Sequence, residues 1–402
     1  RVFLPFFFIA SLLGGVPAAA QISVDQFSDA PYIFNVPGRR ELREKGYTLE
    51  MLAVNDTWGN TRGGRHRGGG TLGNLFTLFE LDTEKAGLWE HGTFHVWGIY
   101  VYGRRPSKAV GDYQFTSSID SFETYELFEA YYEHSFLEDR MKIRAGVKDF
   151  TLEFAMLDYG FTLLNSSFVT PATITQIPNS FYPSTGLGVE AVGHLSEDVY
   201  AMGGLFDGKP SDNLPARSRD YGLSTSDGAY FISELGFKTE DTSRRHTKLA
   251  VGGWYNTRDF TDLNGVEHSD NYGSYLIGET LLWREHESSA EGLGVFGQLG
   301  QAAQDRNFNS WYVGSGLRYQ GLLPKRDKDS ITLGYNLAHI SSAYREAHPG
   351  IQSSEQVYEL AYRALILPCL TLTPDVQYVH NPSGRSDIGD ALIVYLRSEV
   401  LL

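Results

Sequence analysis

Sixteen short stretches of alternating apolar and polar residues recur along this chain of 402 residues. The gaps between them alternate in length: odd-numbered gaps span about 11 to 38 residues and even-numbered gaps about 4 to 10. Side chains of a strand point alternately to opposite faces, so each stretch predicts a β-strand with one apolar and one polar face. The segments are 47–54, 74–82, 93–101, 125–134, 141–148, 187–193, 199–206, 230–238, 248–256, 274–283, 292–299, 311–320, 330–339, 356–365, 370–379 and 391–401.

This arrangement predicts an all-β fold, a transmembrane antiparallel β-barrel of 16 strands with short periplasmic turns and long extracellular loops. A soluble antiparallel sheet also alternates, with its apolar face turned inward. However, a single open sheet of sixteen strands would have to curl or split, whereas a closed barrel of that size leaves an aqueous channel. After the N-terminal region, no segment has 18 consecutive apolar residues, which argues against a helical membrane protein.

The chain before the first strand divides into two parts. Residues 1–20 are expected to be a signal peptide, because an apolar stretch ends in Ala18-Ala19-Ala20, an A-x-A cleavage pattern. A single membrane-anchoring helix is the alternative, and the prolines and glycines in this stretch disfavour it. Residues 21–46 are expected to be a periplasmic N-terminal lead-in with a short helix near Arg39–Lys45. Residues 47–402 form the predicted transmembrane β-barrel.

Charge and composition exclude several other functions. The net charge of −15 argues against nucleic-acid binding, which requires clustered Lys and Arg. One dense basic patch, RGGRHR at 62–67, lies in a Gly-rich segment and is interpreted as a solvated surface loop. The single cysteine, Cys369, cannot form an internal disulfide. No spacing of His, Cys and Asp suggests zinc, and we expect neither a metal nor a cofactor.

Several motifs along the chain resemble the carbohydrate-selective porins of Gram-negative outer membranes, the OprB-type family. The likeness covers nearly the whole predicted mature chain in one order. The motifs are LGNLFTLFELDTEKAGLW (Leu72–Trp89), FEAYYEHSF (Phe128–Phe136), IRAGVKDFTLEF (Ile143–Phe154), NSSF (Asn165–Phe168), GGLFDGKP (Gly203–Pro210), LAVGGWY (Leu249–Tyr255), Phe296–Asn307 ending in QDRN, and PDVQYVHNP (Pro374–Pro382).

The resemblance implies a sixteen-stranded outer-membrane barrel that admits monosaccharides such as glucose by facilitated diffusion. The partners it implies are sugar solutes. Outer-membrane lipids are expected to contact the apolar outer face of the barrel. That face would serve lipid and subunit contacts equally well, so a homo-oligomer remains an open alternative.

The connection Asp149–Gly186 is the longest, and we expect it to fold inward and narrow the pore. A sugar channel needs hydrogen-bonding groups at its narrowest point, because unpaired polar groups cost roughly 1–3 kcal/mol. It also needs aromatic faces for the apolar side of the sugar ring, and its binding must stay weak enough for release. Candidate substrate-binding residues on the polar strand faces and in this loop are Glu129, Glu133, Arg144, Lys148, Asp149, Glu153, Asn165 and Trp254.

Other interpretations stay open for these residues. Each charge could simply brace the barrel wall, and Trp254, like Trp97, could belong to an interfacial aromatic girdle. Polar-face residues further along the chain are interpreted as structural: Arg318, Gln320, Glu359 and Arg363.

Two other functions are considered beside the sugar porin. The acidic balance of the chain suggests a general or cation-preferring diffusion porin as the alternative. A barrel hydrolase would need a Ser, a His and an acid together, for which His134-Ser135 is only a superficial match. Glu129 and Glu133 would lie about 13 Å apart along a strand, beyond the roughly 9.5 Å limit for a glycosidase pair. We therefore assign no catalytic residue.

Overall fold

The computed structural model describes residues 32–33, 38–210, 228–239, 246–262, 265–286 and 291–402. The predicted signal peptide and most of the lead-in lie outside the described residues. The described part of the lead-in contains helix α1, Arg39–Glu44, which agrees with the short helix expected there. None of the helices in the described part of the chain is long and apolar enough to cross a membrane.

Sixteen antiparallel strands form one closed barrel in which each strand pairs with its neighbours in the chain and β1 pairs with β16. This confirms the predicted fold, and every predicted segment overlaps one observed strand. The strands are β1 Tyr47–Gly64, β2 Gly68–Asp82, β3 Gly92–Gly103, β4 Thr124–Phe136, β5 Met141–Lys148, β6 Gly186–His194, β7 Val199–Asp207, β8 Ala229–Lys238, β9 Thr247–Asn256, β10 Asn271–Arg284, β11 Gly292–Ala302, β12 Asn309–Gln320, β13 Ser330–Ile340, β14 Ser354–Leu367, β15 Leu370–His380 and β16 Gly389–Leu401.

The first hairpin is longer than the sequence pattern predicts. Residues 55–73 were expected to form a long loop, but β1 and β2 pair without interruption from Asn55 with Gly73 to Asn60 with Gly68. The segment is rich in Gly, Asn and Thr, which is typical of loops. Here the cross-strand ladder overrides that local preference, because β1 is also paired with β16 on its other side. The basic patch at 62–67 therefore sits at the tip of a hairpin.

The connections segregate to the two ends of the barrel. One end carries the turns 83–91, 137–140, 195–198, 239–246, 285–291, 321–329 and 368–369, together with the start of β1 and the end of β16. The other, the long-loop end, carries 65–67, 104–123, 149–185, 208–228, 257–270, 303–308, 341–353 and 381–388. Three of the latter are as short as the turns, so strand pairing, not loop length alone, defines this end.

Short helical pieces occur within the connections at the long-loop end. The α-helices are α2 Ser107–Val110, α3 Ser166–Val169, α4 Ala172–Thr175 and α5 Ser342–Ala347. Single 3₁₀ turns span Phe150–Leu152, Gly160–Thr162 and Pro382–Gly384. A two-residue ladder joins Phe260–Thr261 to Glu267–His268.

Burial along the strands is inverted relative to a soluble protein. In β13, Leu333 is 53 % exposed on the outer face, while Thr332 and Asn336 on the inner face are buried. Val251 of β9 lies on the outer face between Leu235 and Leu276 of its neighbours, and all three are exposed. An apolar belt outside and polar side chains inside suit a barrel surrounded by lipid.

Two connections fold into the lumen, where only one was predicted. We call residues 104–123 and 149–185 the first and second inner loops. They bond to each other inside the barrel: Ser118 N donates to Leu164 O at 2.7 Å, and Ser166 N donates to Phe115 O at 2.9 Å. A hydrophobic core inside the lumen joins the second inner loop to aromatic residues of the wall, through Phe150, Phe154, Leu157, Leu163, Phe168, Phe206, Tyr230, Trp254, Tyr275 and Phe296.

The orientation of the barrel predicts which insertions antibodies can reach. A peptide tag inserted after Pro349, an exposed position in the connection 341–353, should be bound on intact cells. A tag at Glu197, in the turn 195–198, should be bound only after the outer membrane is permeabilised. Gly69 would be a poor position for the tag, because it is paired with Gly59 inside the first hairpin. Exposure of the Glu197 tag alone would reverse the assigned orientation.

Candidate functional site

Six charged side chains meet on the inner wall where the second inner loop leaves β5. Glu129 and Glu133 come from β4, Arg144 and Lys148 from β5, Glu190 from β6 and Glu153 from the loop. We call these six residues the charged network. The sequence-based candidates Glu129, Glu133, Arg144, Lys148 and Glu153 are thus brought together, and β pairing explains how: Glu133 lies opposite Arg144, and Arg144 lies opposite Glu190.

Arg144 occupies the centre of the charged network. Its Nε lies 2.5 Å from Glu133 Oε2, and its Nη1 lies 2.7 Å from both Glu153 Oε1 and Glu190 Oε1. Its side chain is only 8 % exposed. A planar guanidinium offers five donors in a fixed fork, which lets it contact several carboxylates at once. Arg144 therefore ties three strands to the inner loop.

Lys148 makes looser contacts on the loop side of the same network. Its Nζ lies 3.4 Å from Glu129, 3.5 Å from Glu153 and 3.7 Å from Glu190. It also lies 4.8 Å from the ring centre of Tyr131, a cation–π distance. Two cations thus face four carboxylates, and Lys142 of β5 adds a third cation at the edge of the network, where its Nζ lies 3.1 Å from Glu133 Oε1.

Glu153 is the member of the network most open to the channel, at 17 % exposed. Burial would raise the pKa of its carboxyl, but Arg144 and Lys148 outweigh that effect and hold its pKa below the ordinary value. Glu153 therefore stays ionised at neutral pH. It is also the only network member that lies on a loop. The position of the second inner loop therefore determines where the Glu153 charge lies relative to Arg144 and Lys148.

Asp149 lies beside the network but has a different role. Its carboxylate accepts hydrogen bonds from Thr151 N at 2.8 Å, Thr151 Oγ1 at 2.7 Å and Tyr182 N at 2.9 Å. Burial raises the pKa of Asp149 to about 6, although these hydrogen bonds act in the opposite direction. Asp149 thereby joins the two ends of the second inner loop and fixes its shape.

Asn165 lies away from the charged network, against the opposite wall. Its side chain caps α3 by accepting from Ser167 N at 3.0 Å, and it accepts from Asn336 Nδ2 of β13 at 3.1 Å. Its Nδ2 is buried without a hydrogen-bond partner among the described residues. The structure therefore places Asn165 in the loop framework and not beside Arg144.

Trp254 points inward as its position in β9 predicts, but the second inner loop covers it. Only 3 % of the residue is exposed, and its ring lies 6.0 Å from the ring of Tyr230 in the lumen core. Trp97 is equally buried, 6.3 Å from the ring of Phe128. In this conformation neither indole has a face open to a solute. Strand alternation gives the direction of a side chain but not what packs on it.

Wall carboxylates hold the inner loops by accepting backbone N–H groups, a feature that the sequence analysis missed. Glu234 of β8 accepts from Ala155 N at 2.8 Å. Glu279 of β10 accepts from Asp158 N at 3.0 Å and Tyr159 N at 2.8 Å. Further contacts of this kind run from Asp149 to Glu129, from Leu164 and Asn165 to Glu359, and from Tyr113 and Gln114 to Glu355.

These anchors lie at several depths of the barrel. Asp158 is 3.5 Å from Lys238, at the far end of β8 from the long-loop end, so the second inner loop runs through most of the lumen. Glu359 was interpreted as structural, and its contacts with the loop agree with that. For the anchors Glu234 and Glu279, the only sequence signal was a lone Glu on the inner face of an otherwise apolar or Gly-rich strand. The same holds for Glu190.

One group of side chains has the composition of a metal site. Donor atoms of Asp158, His246 and Glu279 lie within 4.8 Å of one another, with His246 Nε2 2.9 Å from Glu279 Oε1. Lys238 already lies 3.5 Å from Asp158, and both oxygens of Glu279 accept loop N–H groups. Protein groups thus satisfy these carboxylates, and we assign the cluster to loop anchoring.

A closed sixteen-stranded barrel with an apolar outer belt, a polar inner wall and loops folded into its lumen is the architecture of an outer-membrane porin. A family model described as "Carbohydrate-selective porin, OprB family" matches residues 66–401. The chain belongs to this family. It is a channel for carbohydrates in the outer membrane of a Gram-negative bacterium, as the sequence motifs predicted.

Comparison with individual proteins agrees with the family. Porin B of Pseudomonas aeruginosa is 20 % identical over 406 residues, covering 90 % of this chain and 89 % of that protein. The high-pH structure of Pseudomonas putida OprB superposes with a TM-score of 0.83 at 19 % identity, over 91 % of this chain and 96 % of that one. The low-pH structure of the same protein gives a TM-score of 0.63 at 15 % identity, over 93 % and 100 %. At these identities the structural matches establish the fold alone.

Proposed function

We propose that the charged network is the selectivity site of this sugar porin and that neutral monosaccharides such as glucose pass beside Glu153. The observation that carries the proposal is the cluster itself: opposite charges are held within hydrogen-bonding distance on the inner wall and are joined to a loop that narrows the lumen. Sugar hydroxyls lose water at a constriction, and fixed charged donors and acceptors can replace it.

The balance of charge supports weak and reversible binding. Arg144 and Lys148 already have carboxylate partners, so a sugar hydroxyl must compete with those partners and cannot bind tightly. A channel requires such weak binding, because a tightly held solute is not released. We expect the dissociation constant of the sugar to be on the order of millimolar or larger. This corresponds to a binding free energy of about −4 kcal/mol or weaker.

The ionised carboxylate of Glu153 supports a secondary property. Glu153, the network carboxylate most open to the channel, should make the residual ion current mildly cation-preferring, since fixed negative charge raises the local concentration of cations. The alternative of a general or cation-preferring diffusion porin differs from the proposal in one respect: it predicts no saturable interaction with sugars.

Planar-bilayer recording of the purified protein tests the proposal. Glucose should reduce the ion current in a saturable manner, and an inert polyethylene glycol of larger size should not. Reversal potentials in a KCl gradient should indicate a mild preference for potassium. A current that glucose never reduces, together with free passage of cations, would favour the general-porin alternative.

A further inference from the structure

A second concentration of charge lies at the long-loop end, away from the charged network. A cavity of about 570 Å³ opens there between the tip of the β1–β2 hairpin, the end of β3 and the first inner loop. We call it the basic pocket, and the residues that matter for its chemistry are Trp58, Arg67, Arg104, Arg105, Lys108 and Glu123. Its volume is within the range of small-molecule sites.

The basic pocket faces the channel and not the lipid. Trp58 belongs to the inner face of β1, on the same side as buried Asp56, and the first inner loop that closes the pocket bonds to Asp56 through Ser117 at 2.6 Å. A solute entering from the long-loop end would therefore meet this pocket before it reaches the charged network.

Local packing holds one cation of the pocket in place. The stem of Arg104 lies over Gly70, where an added Cβ would come within 2.9 Å of it. The backbone oxygen of Arg104 accepts a hydrogen bond from Trp58 Nε1 at 2.8 Å. Any side chain at Gly70 would displace the arginine, so the glycine run 68–70 makes room for a positive group.

Several cations of the pocket lack a carboxylate partner among the residues that the structure describes. Arg105 pairs with Asp120 at 2.6 Å. Within the described part of the chain, no carboxylate lies within 4.0 Å of Arg67, Arg104 or Lys108. Glu123 is the one acidic residue among those that line the cavity. The whole chain has a net charge of −15. These three cations therefore create a positive electrostatic potential in the pocket, opposite in sign to that expected from the net charge of the protein.

We propose that the basic pocket binds the anionic group of an acidic monosaccharide, one that carries a carboxylate or a phosphate. Arg67, Arg104 and Lys108 would contact the anion, and the adjacent indole edge of Trp58 would bound the sugar ring. Arginine matches carboxylate and phosphate through paired N–H donors. This inference rests on the proposed function as a sugar channel and extends it from neutral to acidic sugars.

Current block by glucuronate and by glucose, added from the long-loop side in bilayers without lipopolysaccharide, tests the inference. Glucuronate should bind more tightly than glucose. In Arg67→Gln/Lys108→Gln, its apparent dissociation constant should rise about five- to tenfold while that of glucose stays the same. The matched control is Lys328→Gln, an exposed lysine at the opposite end of the barrel, which should change neither constant. Raising the salt concentration should weaken only the glucuronate block.

The possible outcomes distinguish failure of the anion site in the basic pocket from failure of the proposed function as a sugar channel. If glucose blocks the current but glucuronate binds no better and the double variant changes nothing, the basic pocket is not an anion site. If tighter binding requires lipopolysaccharide in the membrane, the pocket recognises a lipid phosphate and the inference is likewise overturned. If glucose itself never blocks, the proposed function fails first, whatever glucuronate does. Relief of the glucuronate block by inorganic phosphate supports the assignment to the anionic group.

Discussion

Arg144→Ala is expected to increase the conductance, shift ion preference further towards cations and weaken glucose block at least about tenfold. The substitution removes the one group that contacts Glu133, Glu153 and Glu190 together. Breaking a buried ion pair by removing one partner typically costs about 3–5 kcal/mol, because the remaining charges lose their compensation. Glu153 would then move away from Glu133 and Glu190, and the start of the second inner loop would move with it.

Two further variants test whether the effect of Arg144→Ala depends on its central position and on the sign of its charge. Lys142→Ala removes a more exposed cation with a single partner in the network, Glu133 at 3.1 Å, and should have a much smaller effect. Glu190→Gln removes a negative charge and should shift ion preference towards anions, the opposite direction. Single-channel conductance, reversal potential and glucose block would be recorded for each variant. If Arg144→Ala left all three unchanged, the network would merely brace the wall and selectivity would reside elsewhere.

Glu279→Ala is expected to release the deepest part of the second inner loop. Glu279 is 3 % exposed and accepts hydrogen bonds from Asp158 N and Tyr159 N, with His246 also 2.9 Å away. Each buried N–H left without an acceptor costs about 1–3 kcal/mol unless water reaches it. The loop segment should therefore shift or become hydrated, and the current should become larger and noisier, with weaker sugar block.

Limited proteolysis of detergent-solubilised protein gives an independent measurement. The wild-type loop should resist cleavage near Tyr159, whereas the loop of Glu279→Ala should be cut while the barrel stays intact. Glu346→Ala is the control, because Glu346 is an exposed carboxylate on α5 at the long-loop end and should leave both current and cleavage unchanged. Unaltered conductance and an uncut loop in Glu279→Ala would indicate that hydrophobic packing alone holds the loop.

The sequence by itself determined the barrel. Strand alternation is local, because each residue's face depends only on its parity within the strand, and the lipid requires an apolar outer face throughout. The strand count and the inner face of Glu129, Glu133 and Arg144 followed from it, whereas the inward course of residues 149–185 followed from the length of that connection. The family followed from motifs spread along the chain.

The tertiary structure decided what crosses the lumen. The network joins Glu190 to Arg144 because β6 is paired to β5, and Trp254 is covered because a loop from elsewhere in the chain packs on it. The anchors Glu279 and Glu359 face loop residues more than a hundred positions away in the chain. The length of the first hairpin likewise depended on pairing with β16 at the other end of the chain. Such contacts depend on the closure of the barrel, which brings distant residues together, and no local pattern in the sequence records them.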